Sequence, residues 1–253
     1  MRIMVCGKGG TGKSAISVLM SRLLIEKYTV YLVDSDESNE LLPRMLGAES
    51  PRPLVEYLGG KQNIFKIGEV DIAKALETAG GGIRLGSLPE GFVSKSPEGI
   101  SLVTIGKVRK LGEGCACPFN FLTRVFLKNL RLSRSEMLIV DTDAGVEHIG
   151  RGVEEGCDGV LAVIDPTAES IALAGILKET AEKSGKKFWM VVNKATPEVN
   201  VVIERMSTER DLKIDGFIRF DEDIFKSCLE GGRLRAGRAT MDVNAILERM
   251  SLL

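Results

Sequence analysis

A short run near the amino terminus has the pattern in this 253-residue chain that points most directly to chemistry. It begins at Gly7, continues through four residues and ends in Gly-Lys-Ser at Ser14. Glycines let successive backbone N–H groups converge on a phosphate, and the helix that follows adds positive potential. We expect Lys13 to bridge the β- and γ-phosphates of a triphosphate and Ser14 to bind Mg²⁺. The predicted nucleotide-binding residues of this loop are Gly9, Gly10, Thr11, Gly12, Lys13 and Ser14.

The same loop also fits a second pattern. Three of its glycines spell G-x-G-x-x-G, and Asp34 follows about 20 residues later, as a dinucleotide site requires. Such a site has no need of Lys13 and Ser14, whereas a triphosphate with Mg²⁺ needs both. The pair therefore favours a triphosphate over a nicotinamide cofactor.

Acidic residues follow two apolar runs that are predicted as strands. Asp34 and Asp36 come after residues 29–33, and Asp141 comes after residues 137–140. A carboxylate there can orient a water molecule and accept its proton during an in-line displacement. Asp34 and Asp36 could instead simply cap the next helix.

Two of the five cysteines, Cys115 and Cys117, are separated by one residue. A soft divalent metal takes about four sulfur ligands, tetrahedral for Zn²⁺ or square-planar for Ni²⁺. Two copies of the pair across a two-fold axis would supply four thiolates. On spacing alone, two structural cysteines or a strained redox pair remain alternatives. The odd cysteine count and the lack of a signal-peptide pattern predict a cytoplasmic protein without a disulfide framework.

The elements that must position these residues alternate along the chain. Mostly apolar runs read as strands covered on both faces, and amphipathic stretches between them read as helices. The alternation predicts a single α/β domain over residues 1–253, with a mostly parallel sheet, helices on both faces and a nucleotide at the carboxyl ends of the strands. The predicted strands are 2–6, 29–33, 82–85, 137–140, 159–164 and 188–192, and the predicted helices are 13–27, 120–130, 170–183 and 201–209. Residues 88–118 form an irregular excursion that carries the cysteine pair and has one apolar run, 102–105.

Composition argues against several classes of function. Thirty-four basic and 35 acidic residues give a net charge of -1, and aromatic residues are only 5%. A nucleic-acid protein that works through bulk charge or base stacking is therefore not expected. No apolar run approaches the ~20 residues that span a bilayer, so stable membrane insertion is not expected. The helical pattern at 241–253 lacks a basic cluster and is predicted to dock on the protein.

With its second lysine, Lys8, the loop resembles the deviant phosphate-binding loop of the MinD/ParA/nitrogenase iron-protein class of P-loop ATPases. The resemblance implies ATP hydrolysis by a homodimer in which Lys8 reaches the phosphates of the facing subunit. Lys8, Lys13 and Asp36 would be catalytic, with Asp36 positioning the attacking water. Asp141 would contact Mg²⁺ through water. Gly145, which ends a D-x-x-A-G run, would offer its N–H to the γ-phosphate.

The run Val-Val-Asn-Lys that ends at Lys194 looks like the adenine-reading element of that class. By resemblance, the Asn193 amide would pair with the base edge and Lys194 would pack along the ring. Arg219 stands where relatives often carry a proline, and Asp143 adds a negative charge near the phosphates; neither has an assigned role. His148, the only histidine, is expected to be structural.

Over nearly its full length, the chain resembles the CooC-type nickel-insertion ATPases that mature carbon monoxide dehydrogenase. The deviant loop, the chain length, the Cys-x-Cys element and the run 141–152 carry this resemblance. It implies that Cys115 and Cys117 of two protomers hold one Ni²⁺, with Zn²⁺ as a competitor at the same thiolates. ATP/ADP and Mg²⁺ would be bound, ATP hydrolysis would open the dimer, and the client metalloenzyme would be carbon monoxide dehydrogenase. A MinD/ParA-type positioning ATPase and an iron–sulfur carrier are the alternatives.

Overall fold

One sheet of eight strands forms the centre of the computed structural model, which describes residues 1–77, 81–108, 117–144 and 151–253. In those residues the sheet order is β3-β4-β2-β5-β1-β6-β7-β8. Neighbouring strands are parallel, except that β3 runs antiparallel to β4. The strands are β1 (Arg2–Cys6), β2 (Thr29–Ser35), β3 (Ser94–Lys95), β4 (Ser101–Thr104), β5 (Glu136–Thr142), β6 (Gly159–Ile164), β7 (Lys187–Ala195) and β8 (Gly216–Arg219).

Helices cover both faces of the sheet. They are α1 (Lys13–Leu24), α2 (Leu42–Leu46), α3 (Leu54–Tyr57), α4 (Lys61–Leu76), α5 (Cys117–Asn129), α6 (Ala168–Lys183), α7 (Pro197–Thr208), α8 (Glu222–Glu230) and α9 (Arg238–Arg249). Helix α4 kinks at Gly68, whose φ is 78°. Two 3-10 turns lie at Leu85–Ser87 and Glu154–Gly156.

Side chains of each strand alternate between two buried apolar clusters. In β1, Met4 and Cys6 enter the cluster covered by α3 to α7, whereas Ile3 and Val5 enter the cluster covered by α1, α2 and α9. This two-residue period places adjacent side chains on opposite faces. The prediction of an α/β fold with a mostly parallel sheet between two helical layers is confirmed.

The predicted strand at 82–85 is wrong. Gly82 has a φ of 76°, which breaks an extended run, and Ile83 makes only an isolated bridge to Leu130. The place beside β2 belongs to β4, whose four residues are all buried. The apolar run 102–105 inside the predicted irregular excursion therefore supplies the strand that 82–85 was expected to supply.

The carboxyl-terminal helix docks as predicted. Ala239, Val243, Ile246 and Leu247 of α9 are buried in the second cluster. Among the described residues, the helices are all too short or too polar to cross a bilayer.

Candidate nucleotide-binding site

The glycine-rich loop leaves the carboxyl end of β1 and leads into α1, and two of its positions accept only glycine. Gly7 and Gly12 have φ values of 149° and 95°. A Cβ on Gly7 would lie 2.1 Å from the Val163 carbonyl oxygen, and one on Gly12 would lie 2.4 Å from Asn193 Nδ2. Conformation and space therefore both exclude a side chain there.

The two loop lysines point in different directions. Lys13 is buried, and its Nζ donates to the Lys8 carbonyl oxygen at 3.2 Å, which holds the ammonium against the loop. The Lys8 side chain leaves the loop and forms an ion pair with Glu169 in the first turn of α6. Both partners are largely exposed, and the contact is within one chain. The reach of Lys8 into a facing subunit stays a prediction.

Ser14 and Asp141 lie together beneath the loop. Asp141 is fully buried, and its Oδ1 accepts from Ser17 Oγ at 3.0 Å, whereas its Oδ2 has no hydrogen-bond partner. Burial raises the pKa of Asp141 to about 6, although the hydroxyls of Ser14 and Ser17 oppose this rise. An unpaired buried carboxylate oxygen is costly, and a hydrated cation would satisfy it. Ser14 and Asp141 therefore fit the Mg²⁺ site expected from the sequence.

Asp36 lines the cavity in front of the loop and also closes its own turn. Its Oδ1 accepts from Ser38 N at 2.9 Å, from Ser38 Oγ at 2.6 Å and from Asn39 N at 3.2 Å. Asn39 Nδ2 in turn donates to Ser14 Oγ at 2.9 Å. The turn after β2 is thereby tied to the phosphate loop.

Asp34 is held away from this cavity. It is fully buried, and its Oδ2 lies 2.7 Å from Nζ of Lys107, a residue that the sequence analysis missed. Burial raises the pKa of Asp34, and the Lys107 ammonium opposes that rise. Asp34 is paired in register with Asp141 on β5, but its carboxylate is occupied by Lys107 and not directed toward the cavity.

The Asn-Lys pair at the end of β7 contacts the back of the loop. Asn193 Nδ2 donates to the Thr11 carbonyl oxygen at 2.8 Å, and Lys194 Nζ donates to the Gly10 carbonyl oxygen at 2.7 Å. Lys194 has a φ of 58°, uncommon for a residue with a side chain. Both side chains also line the cavity in front of the loop. Their contact with a base stays a prediction.

That cavity measures about 480 Å³ and extends from the loop to α8. Its far end is lined by apolar groups that the sequence analysis missed: Phe220, Ile224, Phe225 and Cys228. The Phe220 and Phe225 ring centroids are 6.0 Å apart. A phosphate loop at one end and aromatic rings at the other fit a nucleotide. The sequence signal that could have located these residues is Asp221 followed by Glu-Asp, a run that is typical of the start of a helix.

Arg219, at the same end of the cavity, is held by α9. Its Nη2 lies 2.7 Å from Asp242 Oδ1, and its Nε donates to Asp242 Oδ2 at 2.9 Å.

A larger groove of about 1000 Å³ between α4 and α5 is lined by none of the predicted site residues.

Some predicted residues lie outside the part of the chain that the structure describes, namely Cys115, Gly145 and His148. Cys117 begins α5, is half-buried and has its sulfur in a disulfide, so metal binding by its thiolate would require reduction. Within residues 1–77, 81–108, 117–144 and 151–253, no group of three or more His, Cys, Asp or Glu side chains could hold a metal ion. Asp143 is half-buried at the end of β5.

The chain resembles known proteins in sequence and in structure. Residues 3–234 match the family model of the CobQ/CobB/MinD/ParA nucleotide binding domain. Over 239 residues the chain is 42% identical to an uncharacterized ATP-binding protein of Methanocaldococcus jannaschii, covering 93% of this chain and 94% of that one. It is 30% identical over 264 residues to the carbon monoxide dehydrogenase accessory protein CooC of Rhodospirillum rubrum, and the match covers 99% of this chain and 97% of that one.

Solved structures show the same fold at low sequence identity. The septum site-determining protein MinD of Pyrococcus horikoshii, complexed with Mg-ADP, matches with a TM-score of 0.69 and 15% identity, covering 98% of this chain and 95% of that one. MinD of Aquifex aeolicus matches with a TM-score of 0.67 and 17% identity, and the match covers 99% of this chain and 96% of that one.

Proposed function

The chain belongs to the CobQ/CobB/MinD/ParA nucleotide-binding family and is a P-loop ATPase, and on this premise we propose that it is a nickel metallochaperone. One observation carries the proposal: the similarity to CooC extends over 99% of the chain. The Cys-x-Cys element of this chain would supply two thiolates per protomer to the metal. The client would be a nickel enzyme, with carbon monoxide dehydrogenase as the first candidate.

ATP binding uses the cavity between the loop and α8. Backbone N–H groups of the loop and Lys13 neutralise the phosphates, and the base lies between Asn193 and the aromatic end of the cavity. Ser14 and Asp141 would hold Mg²⁺, which would supply charge neutralisation between the β- and γ-phosphates. Asp36 faces the same space and would orient the attacking water.

Dimerisation places a second positive charge on each nucleotide. Lys8 would leave Glu169 and reach the phosphates of the facing subunit. The contact with Glu169 is a solvent-exposed ion pair, so it is weak enough to be exchanged for a phosphate. Loss of the γ-phosphate then removes part of the attraction that holds the dimer closed.

The two-fold axis that relates the two protomers of the dimer would also complete the site for the transported metal, here called the cargo site. Cys115 and Cys117 of each protomer would give four thiolates, the ligand set of a soft divalent metal. Dimer opening after hydrolysis would separate the two pairs and release the metal to the client.

Metal stoichiometry tests this proposal. Reduced protein loaded with Ni²⁺ under anaerobic conditions is run on gel filtration with and without ATP, and each peak is analysed for metal. We expect one nickel per dimer in the unaltered protein and none in Cys115→Ala/Cys117→Ala. The matched control is Cys157→Ala, which removes a buried thiol outside the nucleotide cavity and should retain nickel.

The same preparation separates the alternatives. Nickel retained by the double cysteine variant would refute the cargo site. ATP-dependent binding to vesicles or DNA, without metal, would support the positioning ATPase, which the near-neutral charge and the docked α9 disfavour. A brown protein with iron in place of nickel would support the iron–sulfur carrier.

A further inference from the structure

Lys107 follows β4, and its buried ammonium contacts three groups around the turn after β2. Its Nζ lies 2.7 Å from Asp34 Oδ2, donates to the Asp36 carbonyl oxygen at 2.5 Å and also donates to the Asn39 carbonyl oxygen. The Lys107 side chain is only 7% exposed. One cation therefore binds the end of β2 and both ends of the turn that carries Asp36.

The backbone reinforces this attachment. Ile105 N donates to the Asp34 carbonyl oxygen at 3.0 Å, and Val108 N donates to the Glu37 carbonyl oxygen at 3.1 Å. The segment after β4 therefore runs beside the turn after β2 from one end to the other. Movement of either segment must displace the other or break these hydrogen bonds.

The contacts continue to the phosphate loop. The turn held by Lys107 includes Asn39, whose side chain donates to Ser14 Oγ at 2.9 Å, and Ser14 belongs to the proposed Mg²⁺ site. Asp36 closes the turn through hydrogen bonds to Ser38 and Asn39. A change at the phosphates can therefore reach Lys107 through two adjacent hydrogen-bonded side chains.

Charge balance explains why the ammonium is held so firmly. A buried ammonium is stable only when paired and hydrogen-bonded, and the three acceptors meet both conditions. A neutral side chain at position 107 would leave Asp34 buried without its counter-ion. The two carbonyl oxygens that satisfy the remaining donors of the ammonium both belong to the turn that carries Asp36, so the same contacts that stabilise the buried charge also fix this turn.

We propose that Lys107 is a positioning residue for ATP hydrolysis, which fixes the turn carrying Asp36. The inference rests on the proposed function in giving Asp36 its role. Lys107 does not touch the reacting atoms in this account; it acts through the turn.

The positioning role is tested by steady-state ATPase kinetics without nickel. Because a misplaced catalytic group can cost up to about 100-fold in rate, we expect Lys107→Met to lower kcat at least about tenfold with little change in KM for ATP. Lys107→Arg, which keeps the charge, should recover part of the loss. The matched control Lys128→Met removes a surface ion pair with Glu155 and should leave kcat unchanged.

Folding is controlled by a second variant. Asp34→Asn/Lys107→Met removes the ion pair without leaving a buried unpaired charge, so it should fold even if Lys107→Met does not. Its kcat should still be low, because the contacts to the Asp36 and Asn39 carbonyls are absent. A normal kcat in this folded double variant would overturn the positioning role.

The kinetic readout is independent of the cargo. Failure to bind nickel would refute the metallochaperone proposal and leave the ATPase results standing. Conversely, normal kinetics in the folded Lys107 variants would refute this inference even if nickel is bound.

Discussion

At the scale of single residues, steric limits define the phosphate loop more sharply than charge does. Gly12 combines a positive φ with a neighbour, Asn193 Nδ2, that lies 2.4 Å from the position of an added Cβ. A side chain at this position would have to displace the amide that donates to the Thr11 carbonyl oxygen. The loop and the end of β7 are therefore fitted to each other at this point.

Gly12→Ala should weaken ATP binding by about 100-fold or more, because a misfit in the loop costs both backbone strain and the Asn193 contact, together about 3 kcal/mol. Fluorescence titration with a labelled ATP analogue measures the effect. The control is Gly175→Ala in α6, where an added Cβ meets nothing within 4 Å and helix propensity improves. Equal affinity in Gly12→Ala and the unaltered protein would contradict this account of the loop.

At the scale of elements, one carboxylate fixes the start of two helices. Asp221 Oδ1 accepts from Asp223 N and Ile224 N at the start of α8, and its Oδ2 accepts from Gly237 N and Ala239 N at the start of α9. Burial opposes the charge of Asp221, but these four N–H donors outweigh it and lower the pKa. Because α8 carries Ile224 and Phe225, this cap also positions the apolar end of the nucleotide cavity.

Asp221→Asn should cost about 1–3 kcal/mol of folding free energy at pH 7, because the NH2 group of the new side chain would face the backbone N–H donors at the start of α9 and could not accept from them. A carboxylate with a lowered folded pKa stabilises the fold above its ordinary value of 3.8 and loses that effect as the pH falls through the folded value. The difference from the unaltered protein should therefore persist down to about pH 4 and shrink below it.

Urea denaturation across this pH range measures the effect. Asp211→Asn, at an exposed ion pair with Lys178, is the control and should leave the free energy of unfolding nearly unchanged. A difference at Asp221 that did not depend on pH would refute the role of its charge.

At the scale of the whole molecule, the second loop lysine makes a single chain insufficient for the proposed cycle. The Lys8 side chain is not used by its own loop, because it turns outward to Glu169. The positive charge is therefore positioned on the surface, beside the cavity and free to change partners at low cost.

Lys8→Ala should bind ATP with nearly unchanged affinity but should no longer form a dimer with ATP, because the cross-subunit charge is lost. Glu169→Gln should have the opposite effect and dimerise at a lower ATP concentration, because Lys8 is then released from its exposed ion pair. Analytical ultracentrifugation at graded ATP concentrations distinguishes them. ATP-dependent dimers of Lys8→Ala would refute the cross-subunit role.

The loop, the strand ends and the fold of a sheet between two helical layers follow from local patterns in the sequence. Glycine spacing specifies the loop, and runs of buried apolar residues specify β1, β2, β5, β6 and β7. The sequence analysis predicted a strand at 82–85 and left the apolar run 102–105 inside an irregular excursion, because both segments are short and the decision rests on packing. A positive φ at Gly82 and complete burial of 101–104 decide it, and neither can be read from local propensity.

What only the tertiary structure decided is which distant residues meet. Lys107 and Asp34 are far apart in the chain, and no spacing rule pairs them; they meet because β4 and β2 are hydrogen-bonded neighbours. The aromatic end of the cavity likewise arises because β7 and β8 bring Asn193 and Phe220 to the same edge of the sheet. Local sequence determines elements through short-range sterics and hydrophobic periodicity, whereas long-range pairings depend on strand order, which the whole core selects.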